Sequence, residues 1–345
     1  MSFSLKDFQI HIPTHLIAQY PPKVRGQSRL LVVDTKKGTL IDDFFINLVN
    51  YITSSDCIVY NNAKVINARL FGVKNGTGAH LEVLLTRRLS NTEWMCIIRP
   101  ARRVKRGTKI SIERRYNLEI IEYLGEGLFR TRFSKPVNYE ELKKIGEIPL
   151  PKYIKRKPVR EIDEHRYQTI YSNKYGAVAS PTAGLHFSQE ILKKIQHTGA
   201  ITVPITLYVD WGTFKPVREE DYRAHKIHSE IYEITESSAH ILNRCITEKR
   251  RLLCVGTTSV RTIETAVTSE GRVASGRGET DLFIYPGYDF KLVDALITNF
   301  HIPDSTLILL VAAFAGKELI EKAYNHAVSK GYRFFSYGDA MLITK

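Results

Sequence analysis

The sequence predicts an α/β protein, a mixed sheet with helical cover, interrupted by an inserted all-β, barrel-like domain. Three observations predict it. From residue 176 onward, short apolar runs alternate with stretches at helical spacing, as in strands and helices layered on one sheet. Between about residues 68 and 133 the helical period vanishes, and short, often alternating runs are separated by Gly, Asn and charge. Before that window strand-like runs occur again, so the β segment interrupts a single domain. The expected division is 1–66 and 150–345 for the α/β domain and 67–149 for the insertion.

The elements follow in order. Residues 30–34 (LLVVD) read as a strand, with 39–44 pairing beside it; 45–52 has helical spacing, and 57–60 is another short strand ending at Asn61-Asn62. The segments ARLFGV, HLEVLLTRRL, EWMCIIR, TKISI, NLEIIEYL and LFRTRF supply the barrel strands. Residues 138–145 form a short helix, and 146–157 (GEIPLPKYIKRK) form a proline-punctuated basic linker back to the first domain. Further strands are expected at 177–180, 201–209, 231–234, 252–255, 281–284 and 293–298, with a last one including 333–336. Helices are expected at 188–197, 235–249, 257–268, 304–315 and 317–329, opened by residues such as Ser188 and Asp304.

Composition narrows the function. Lys and Arg number 50 against 36 Asp and Glu, a net charge of +14. Such a chain is drawn to polyanions, nucleic acid first among them. The densest basic run is R-P-A-R-R-V-K-R, carrying Arg99, Arg102 and Arg103. An Arg-rich loop on a β module is a candidate RNA-binding surface, weighed against ordinary solvated charge. No apolar run has the roughly 20 residues of a membrane helix, and the first residues lack the apolar core of a signal peptide. Cys57, Cys96, Cys245 and Cys254 are scattered without a C-x-x-C, which argues against structural zinc, an iron–sulfur cluster or a disulfide framework. A cytoplasmic protein with no metal is the expectation.

Loops after strands carry the candidate chemistry, since open α/β sheets bind ligands at strand carboxyl ends. In G-A-V-A-S-P-T-A-G-L-H-F, Thr182 and Gly184 allow close approach and His186 offers one titratable group. Gly256, Thr257, Thr258 and Ser259 form a turn into a helix N-terminus, a ready anion site that Arg261 could complete. Asn299 and His301 lie in a third loop, residues 298–303. Asp210-Trp211-Gly212-Thr213-Phe214-Lys215-Pro216 places aromatics around a glycine. His228 and Glu230 would share a strand face, as a base and its orienter. Gly276–Thr280, followed by Asp281, delivers a carboxylate at the expected start of a strand. Walker A, G-x-G-x-x-G and G-x-S-x-G motifs are absent.

Taken in order, LIAQYPP with SRLLVVD, KVINARLFG, IIRPARRVKRGT, GEIPLPKYI, RYQTIYS, GAVASPTAGLHF, WGTFKPV, HKIHSE, VGTTSVRTIE, ETDLFIYPGYDFKLVDALITNFHIPDSTLILLVAAFAG and YRFFSYGDAML resemble the S-adenosylmethionine:tRNA ribosyltransferase-isomerase family over almost the whole chain. The resemblance implies a reaction in which S-adenosylmethionine donates its ribosyl group to a 7-aminomethyl-7-deazaguanine at the tRNA wobble position. The group is rearranged to give epoxyqueuosine, and adenine and methionine are released. S-adenosylmethionine is then a co-substrate, and no metal or other cofactor is expected. His186 is the first candidate for the base, and His228 with Glu230 the second. Asp281 would hold ribose hydroxyls or the acceptor amine, the turn at Gly256 the methionine carboxylate, and Arg99, Arg102 and Arg103 the tRNA phosphates. A monomer is expected. The chain departs from the family pattern at His11, Asn62, Asn67, Asp210, Trp211 and Lys215, so Asn62 is left out of the candidate site. An S-adenosylmethionine-dependent RNA methyltransferase and a non-catalytic RNA-binding protein are the alternative readings. Release of S-adenosylhomocysteine would mark the first, and absence of turnover the second.

Overall fold

The computed structural model describes residues 4–8, 10–214, 217 and 219–345. Its elements, in chain order, begin with β1 (Arg29–Asp34), β2 (Thr39–Phe44), β3 (Asp56–Asn61) and β4 (Ala63–Val65). Six strands follow: β5 (Arg69–Lys74), β6 (His80–Arg88), β7 (Glu93–Arg99), β8 (Lys109–Ile112), β9 (Tyr116–Gly125) and β10 (Leu128–Phe133). Then come α1 (Tyr139–Ile145), α2 (Arg160–Arg166), β11 (Lys174–Ala177), α3 (Gln189–His197), β12 (Ile201–Leu207) and β13 (Glu230–Ile234). The chain ends with α4 (Glu236–Thr247), β14 (Arg251–Val255), α5 (Thr257–Ala266), β15 (Gly276–Thr280), β16 (Ala295–Asn299), α6 (Thr306–Ala315), α7 (Lys317–Ser329) and β17 (Ala340–Thr344).

Nine strands form one mixed sheet in the order β15-β13-β12-β3-β14-β16-β17-β1-β2. The central strands are apolar along their length because both faces are covered. In β1 the four residues between Arg29 and Asp34 are buried. One face packs against Ile308, Val311, Ile320 and Tyr324 of α6 and α7. The other packs against Phe45, Phe187, Ile191 and Ile195. Helix α6, TLILLVAAFA, is apolar almost all round because it is buried almost all round.

The six strands β5–β10 close on themselves in the order β10-β7-β6-β5-β8-β9. Their alternation has its cause there: Trp94, Cys96, Ile98, Ile110 and Leu118 fill the interior, while residues between them meet solvent. Closure leaves no strand edge exposed to unwanted pairing. The chain is thus an α/β mixed sheet with an inserted all-β barrel, as its sequence predicts. Helix α1 follows the barrel, opened by a capping box in which Asn138 accepts from Glu141 N and Glu141 accepts from Asn138 N.

Several expected elements shift. Residues 45–52 form a 3-10 turn at Phe45–Tyr51 instead of an α-helix. The strand expected at 177–180 is β11, which ends at Ala177. The strand expected at 281–284 lies earlier, at Gly276–Thr280, where the backbone pairs along β13 despite two glycines. Pairing at a sheet edge overrides intrinsic preference there. The last strand is not at 333–336. That segment is a loop held by Asp339, which accepts from Arg29 N at 2.8 Å and Arg333 N at 2.7 Å. The strand is β17, whose apolar run lies between β1 and β16. Helix α2 carries no apolar periodicity. It is fixed by Asp163, which accepts two hydrogen bonds from Arg156 (2.8 and 2.6 Å) and one from Tyr337 Oη (3.0 Å).

Candidate active site

Strands β12, β3, β14 and β16 run parallel, so Leu207, Asn61, Val255 and Asn299 end at one edge of the sheet. Across that edge lies a cleft of about 580 Å³ that includes Ser180, Thr182, Gly256, Thr258, Asn299 and His301 in its wall. Gly256 makes the turn from β14 into α5 at φ +86°, a region that favours glycine. Thr257 then starts the helix, so the first N–H groups of α5 face this end without intrahelical partners.

The hydroxyls after Gly256 have different fates. Ser259 Oγ donates to Val255 O at 2.8 Å, so it serves its own helix. Thr258 Oγ1 is buried and has no hydrogen-bond partner among the described residues. The same holds for Ser180 Oγ and Asn299 Oδ1. All three belong to residues of one cleft wall. Buried polar atoms are ordinarily satisfied, so three vacant ones around one opening mark a place for a polar ligand.

His186 lies beneath this wall. Its Nε2 accepts from Asn299 Nδ2 at 3.1 Å, and its Nδ1 pairs with Ser28 Oγ at 2.8 Å. Asn299 Nδ2 also donates to Phe335 O at 3.0 Å, which leaves Oδ1 aimed elsewhere. Burial, then the Arg25 and Arg333 charges, push the His186 pKa down to about 3. His186 is therefore a neutral ring with both nitrogens engaged. The geometry gives it the work of orienting Asn299 and weighs against the base role. His301 Nε2 pairs with Thr298 Oγ1 at 2.6 Å, and burial lowers its pKa to about 3 as well.

These two rings set a pH dependence. Between about pH 3 and the ordinary value near 6.5, the unfolded chain binds protons at both histidines and the folded chain does not. Stability should therefore fall as pH drops below about 6.5, by up to about 1.4 kcal/mol per pH unit for each ring. Denaturant midpoints at pH 7 and pH 5.5 check this; a His301→Gln variant should show a shallower fall.

A second cleft adjoins the first and shares Leu307 with it. Here Arg261 is buried and ion-paired with buried Glu230. Its Nε donates to Leu282 O at 3.0 Å and its Nη2 to Thr280 O at 3.3 Å. Sequence reasoning offered Arg261 to a ligand carboxylate; in the structure Glu230 already occupies it. The other Glu230 oxygen accepts from Asp210 N at 2.9 Å. Burial pushes the Asp210 pKa up to about 6. The loop residues Lys215 and Pro216 lie outside the described residues.

Asp210, His228 and Glu230 also line a third opening, a groove of about 1130 Å³ between the barrel and the sheet domain. The barrel and the helix α1 packed on it contribute Arg87, Arg88, Trp94 and Tyr139; the other wall contributes Tyr175 and Arg277. Tyr139 and Tyr175 stack at 5.2 Å with planes 14° apart. The Lys64 ammonium lies 4.6 Å from the Tyr175 ring centre, and the Arg88 guanidinium 5.6 Å from that of Tyr139. Arg87 bridges the two domains through Glu279 at 2.6 Å.

The structure thus gathers Thr182, Gly256, Thr257, Thr258, Asn299 and His301 at one cleft, and His228, Glu230 and Arg261 at the next. It places others elsewhere. Gly184 is a packing residue: a Cβ there would lie 2.2 Å from Tyr171 Oη. Asp281 is exposed and outside all three openings, because β15 ends at Thr280. His228 precedes β13, so it and Glu230 are not two positions on one strand face. Arg99, Arg102 and Arg103 are exposed or partly so. None of the three lines the groove, whose wall takes Trp94 and Met95 from the first half of β7 and Leu128 from the strand beside it. Asn62 spends its side chain on Thr206 Oγ1 at 2.7 Å, and Asn67 on Gly146 O at 3.1 Å. Sequence reasoning missed Tyr139 and Tyr175, whose signal was aromatic residues at the borders of the β window. Among the described residues, no group of three His, Cys, Asp or Glu could hold a metal, and no helix is long and apolar enough to cross a membrane.

Known proteins resemble this chain along nearly its whole length. The family described as queuosine biosynthesis protein matches residues 5–343. The S-adenosylmethionine:tRNA ribosyltransferase-isomerase of Thermoanaerobacter sp. (strain X514) is 46% identical over 98% of each chain. The protein of that name from Clostridioides difficile (strain 630) is 44% identical over 98% of this chain and 99% of its own. A crystal structure described as S-adenosylmethionine tRNA ribosyltransferase from Thermotoga maritima is 34% identical, covers 97% of this chain and 99% of its own, and gives a TM-score of 0.56.

Proposed function

This chain belongs to the queuosine biosynthesis protein family, and from that membership we infer that it is an S-adenosylmethionine:tRNA ribosyltransferase-isomerase. The acceptor in this reading is a 7-aminomethyl-7-deazaguanine at the tRNA wobble position. The ribosyl part of S-adenosylmethionine joins the acceptor nitrogen and rearranges to the epoxyqueuosine ring, while adenine and methionine leave. We propose no further cofactor, a monomer, and action in the cytoplasm. Residues 1–66 and 150–345 serve as the catalytic body in this reading, and 67–149 as the inserted barrel.

The observation that carries the assignment is the cleft with three unspent polar atoms, Ser180 Oγ, Thr258 Oγ1 and Asn299 Oδ1, at the carboxyl ends of parallel strands. It suits S-adenosylmethionine, whose adenine, ribose and amino-acid groups all need polar partners in a water-poor pocket. The α5 N-terminus suits the methionine carboxylate. Departure of adenine is favoured by a donor at its ring nitrogens, and Thr258 Oγ1 can turn its proton toward one. The carbon beside the sulfonium must lose a proton to a base. His228 lines the two openings that adjoin this cleft, and that position suits it to the role, whereas His186 lies beneath the wall.

The groove suits the RNA. An anticodon nucleoside must leave the stack to reach an active site, and aromatic faces with basic groups receive unstacked bases. Arg88→Ala and Arg277→Ala should each weaken tRNA binding several-fold and lower the salt dependence by about one counterion. Arg102→Ala with Arg103→Ala should do less, because neither residue lines the groove. Filter binding across a salt series measures both.

The deciding assay incubates the protein with S-adenosylmethionine and tRNA bearing the aminomethyl-deazaguanine. Adenine and methionine should appear only with that acceptor. S-adenosylhomocysteine would instead establish methyl transfer, and tight tRNA binding without turnover would leave a binding protein or an enzyme disabled by the departures at Asn62, Asp210 and Trp211, which reverting those residues would separate.

A further inference from the structure

We propose that the Asp210 side chain is the specificity group for the acceptor, receiving its aminomethyl ammonium where the RNA groove meets the S-adenosylmethionine cleft. The inference rests on the function proposed above and goes beyond it by naming the residue that reads the modified base.

The argument begins with charge. A primary amine of this type is protonated at neutral pH, as a lysine side chain is. It must enter a groove lined by Arg87, Arg88 and Arg277. Those groups attract the phosphates of the RNA and repel the amine. Recognition of the amine therefore needs a carboxylate set apart from them, close to the bound donor.

Three carboxylates lie near the junction, and two are committed. Glu279 pairs with Arg87 and accepts from Ser229 Oγ at 2.8 Å. Glu230 pairs with Arg261 and accepts from the Asp210 backbone. Asp210 differs. Its Oδ1 accepts from Trp211 N at 2.7 Å, and no Lys or Arg nitrogen lies within ion-pair distance of it among the described residues.

Position supports the same assignment. Val209 is in the wall of the first cleft, and Asp210, the next residue, is in the walls of the second cleft and the groove. A group bound to Asp210 is therefore adjacent to the donor's site from the RNA side. The backbone at Asp210 is held by Glu230, which is itself held by Arg261, so the carboxylate is fixed before substrate arrives. Burial raises its pKa, with nearby Glu230 adding to the rise and Arg87 opposing it. A bound ammonium would supply the missing positive partner and draw the side chain to its charged form.

The test compares two tRNAs that differ only at the wobble base, aminomethyl-deazaguanine against guanine, measured for binding without S-adenosylmethionine. The wild type should prefer the amine-bearing tRNA by roughly tenfold or more, the scale of one hydrogen bond to a charged group. Asp210→Asn keeps the shape and removes the charge. It should bring the ratio close to one while leaving affinity for guanine tRNA and for S-adenosylmethionine unchanged. Asp210→Glu should retain part of the preference. An Asp210→Asn protein with the wild-type ratio overturns the inference, and so does a wild type with no preference. Adenine release by the wild type is scored separately. Its absence would remove the proposed reaction, while a preference lost in Asp210→Asn would still support amine recognition.

Discussion

Asn299→Leu should lower kcat/KM for S-adenosylmethionine by on the order of 10²–10³-fold, the scale seen when one positioned polar group is removed from an active site. Leucine is close in size, so the wall keeps its shape but loses the unspent Oδ1, together with the Nδ2 donations to His186 Nε2 and Phe335 O. The effect should be mirrored in weaker binding of S-adenosylmethionine, measured by calorimetry, if Oδ1 already contacts the ground state. If Oδ1 acts only on the transition state, the loss appears in kcat with affinity kept. His186 provides the control. Its Nε2 and Phe335 O together hold the Asn299 amide. His186→Ala should therefore reproduce part of the Asn299 defect, and His186→Gln, which can still accept from Asn299, should restore much of it. The pH–rate profile should keep its shape in both variants. A profile that loses its acidic limb in both, with no rescue by glutamine, would return His186 to the base role. His228→Ala, if folded and saturated with both substrates, should lose the proton-transfer step; wild-type turnover would remove His228 from it.

What the sequence revealed of this site, and what it concealed, has a consistent physical division. Local signals were legible. The turn at Gly256 follows an apolar run and opens a helix, and the structure has β14, a positive φ and α5 there. The barrel was legible because alternation has a single cause, an inside and an outside. Side-chain use was not legible. Thr257, Thr258 and Ser259 are near-equivalent letters, yet only the backbone decides that Ser259 turns back to Val255 O while Thr258 faces the cleft. Partners distant in sequence were hidden for the same reason. Arg261 near a helix N-terminus looked unexplained by capping and so looked free for a ligand. Glu230, thirty-one residues away, satisfies it. The edge strand β15 was misplaced because its glycines carry no β signal; its strand character comes from β13. Asp210 is legible only as the start of an aromatic–glycine loop and as a departure from a pattern, because its burial and its place between two openings depend on folding.

Arg261→Ala should destabilise the protein by about 3–5 kcal/mol, the cost of leaving a buried carboxylate without its cation. Glu230 and Arg261 are both among the most buried charges of the chain. The pair is expected to matter through its breakage more than through its net attraction, since removing two charges from water already cost much of what their contact returned. The double variant Glu230→Leu with Arg261→Met should therefore recover most of the lost stability in urea unfolding, although neither single variant does. Function separates the two roles open to Arg261. As a structural partner of Glu230, which holds Asp210 N, its loss should raise KM for tRNA and leave KM for S-adenosylmethionine near wild type, with the stable double variant still impaired toward tRNA. As a grip on the methionine carboxylate, its loss should raise KM for S-adenosylmethionine instead, and Arg261→Lys should keep part of that affinity. The geometry favours the first outcome, because the guanidinium nitrogens are spent on Glu230, Leu282 O and Thr280 O before any ligand enters.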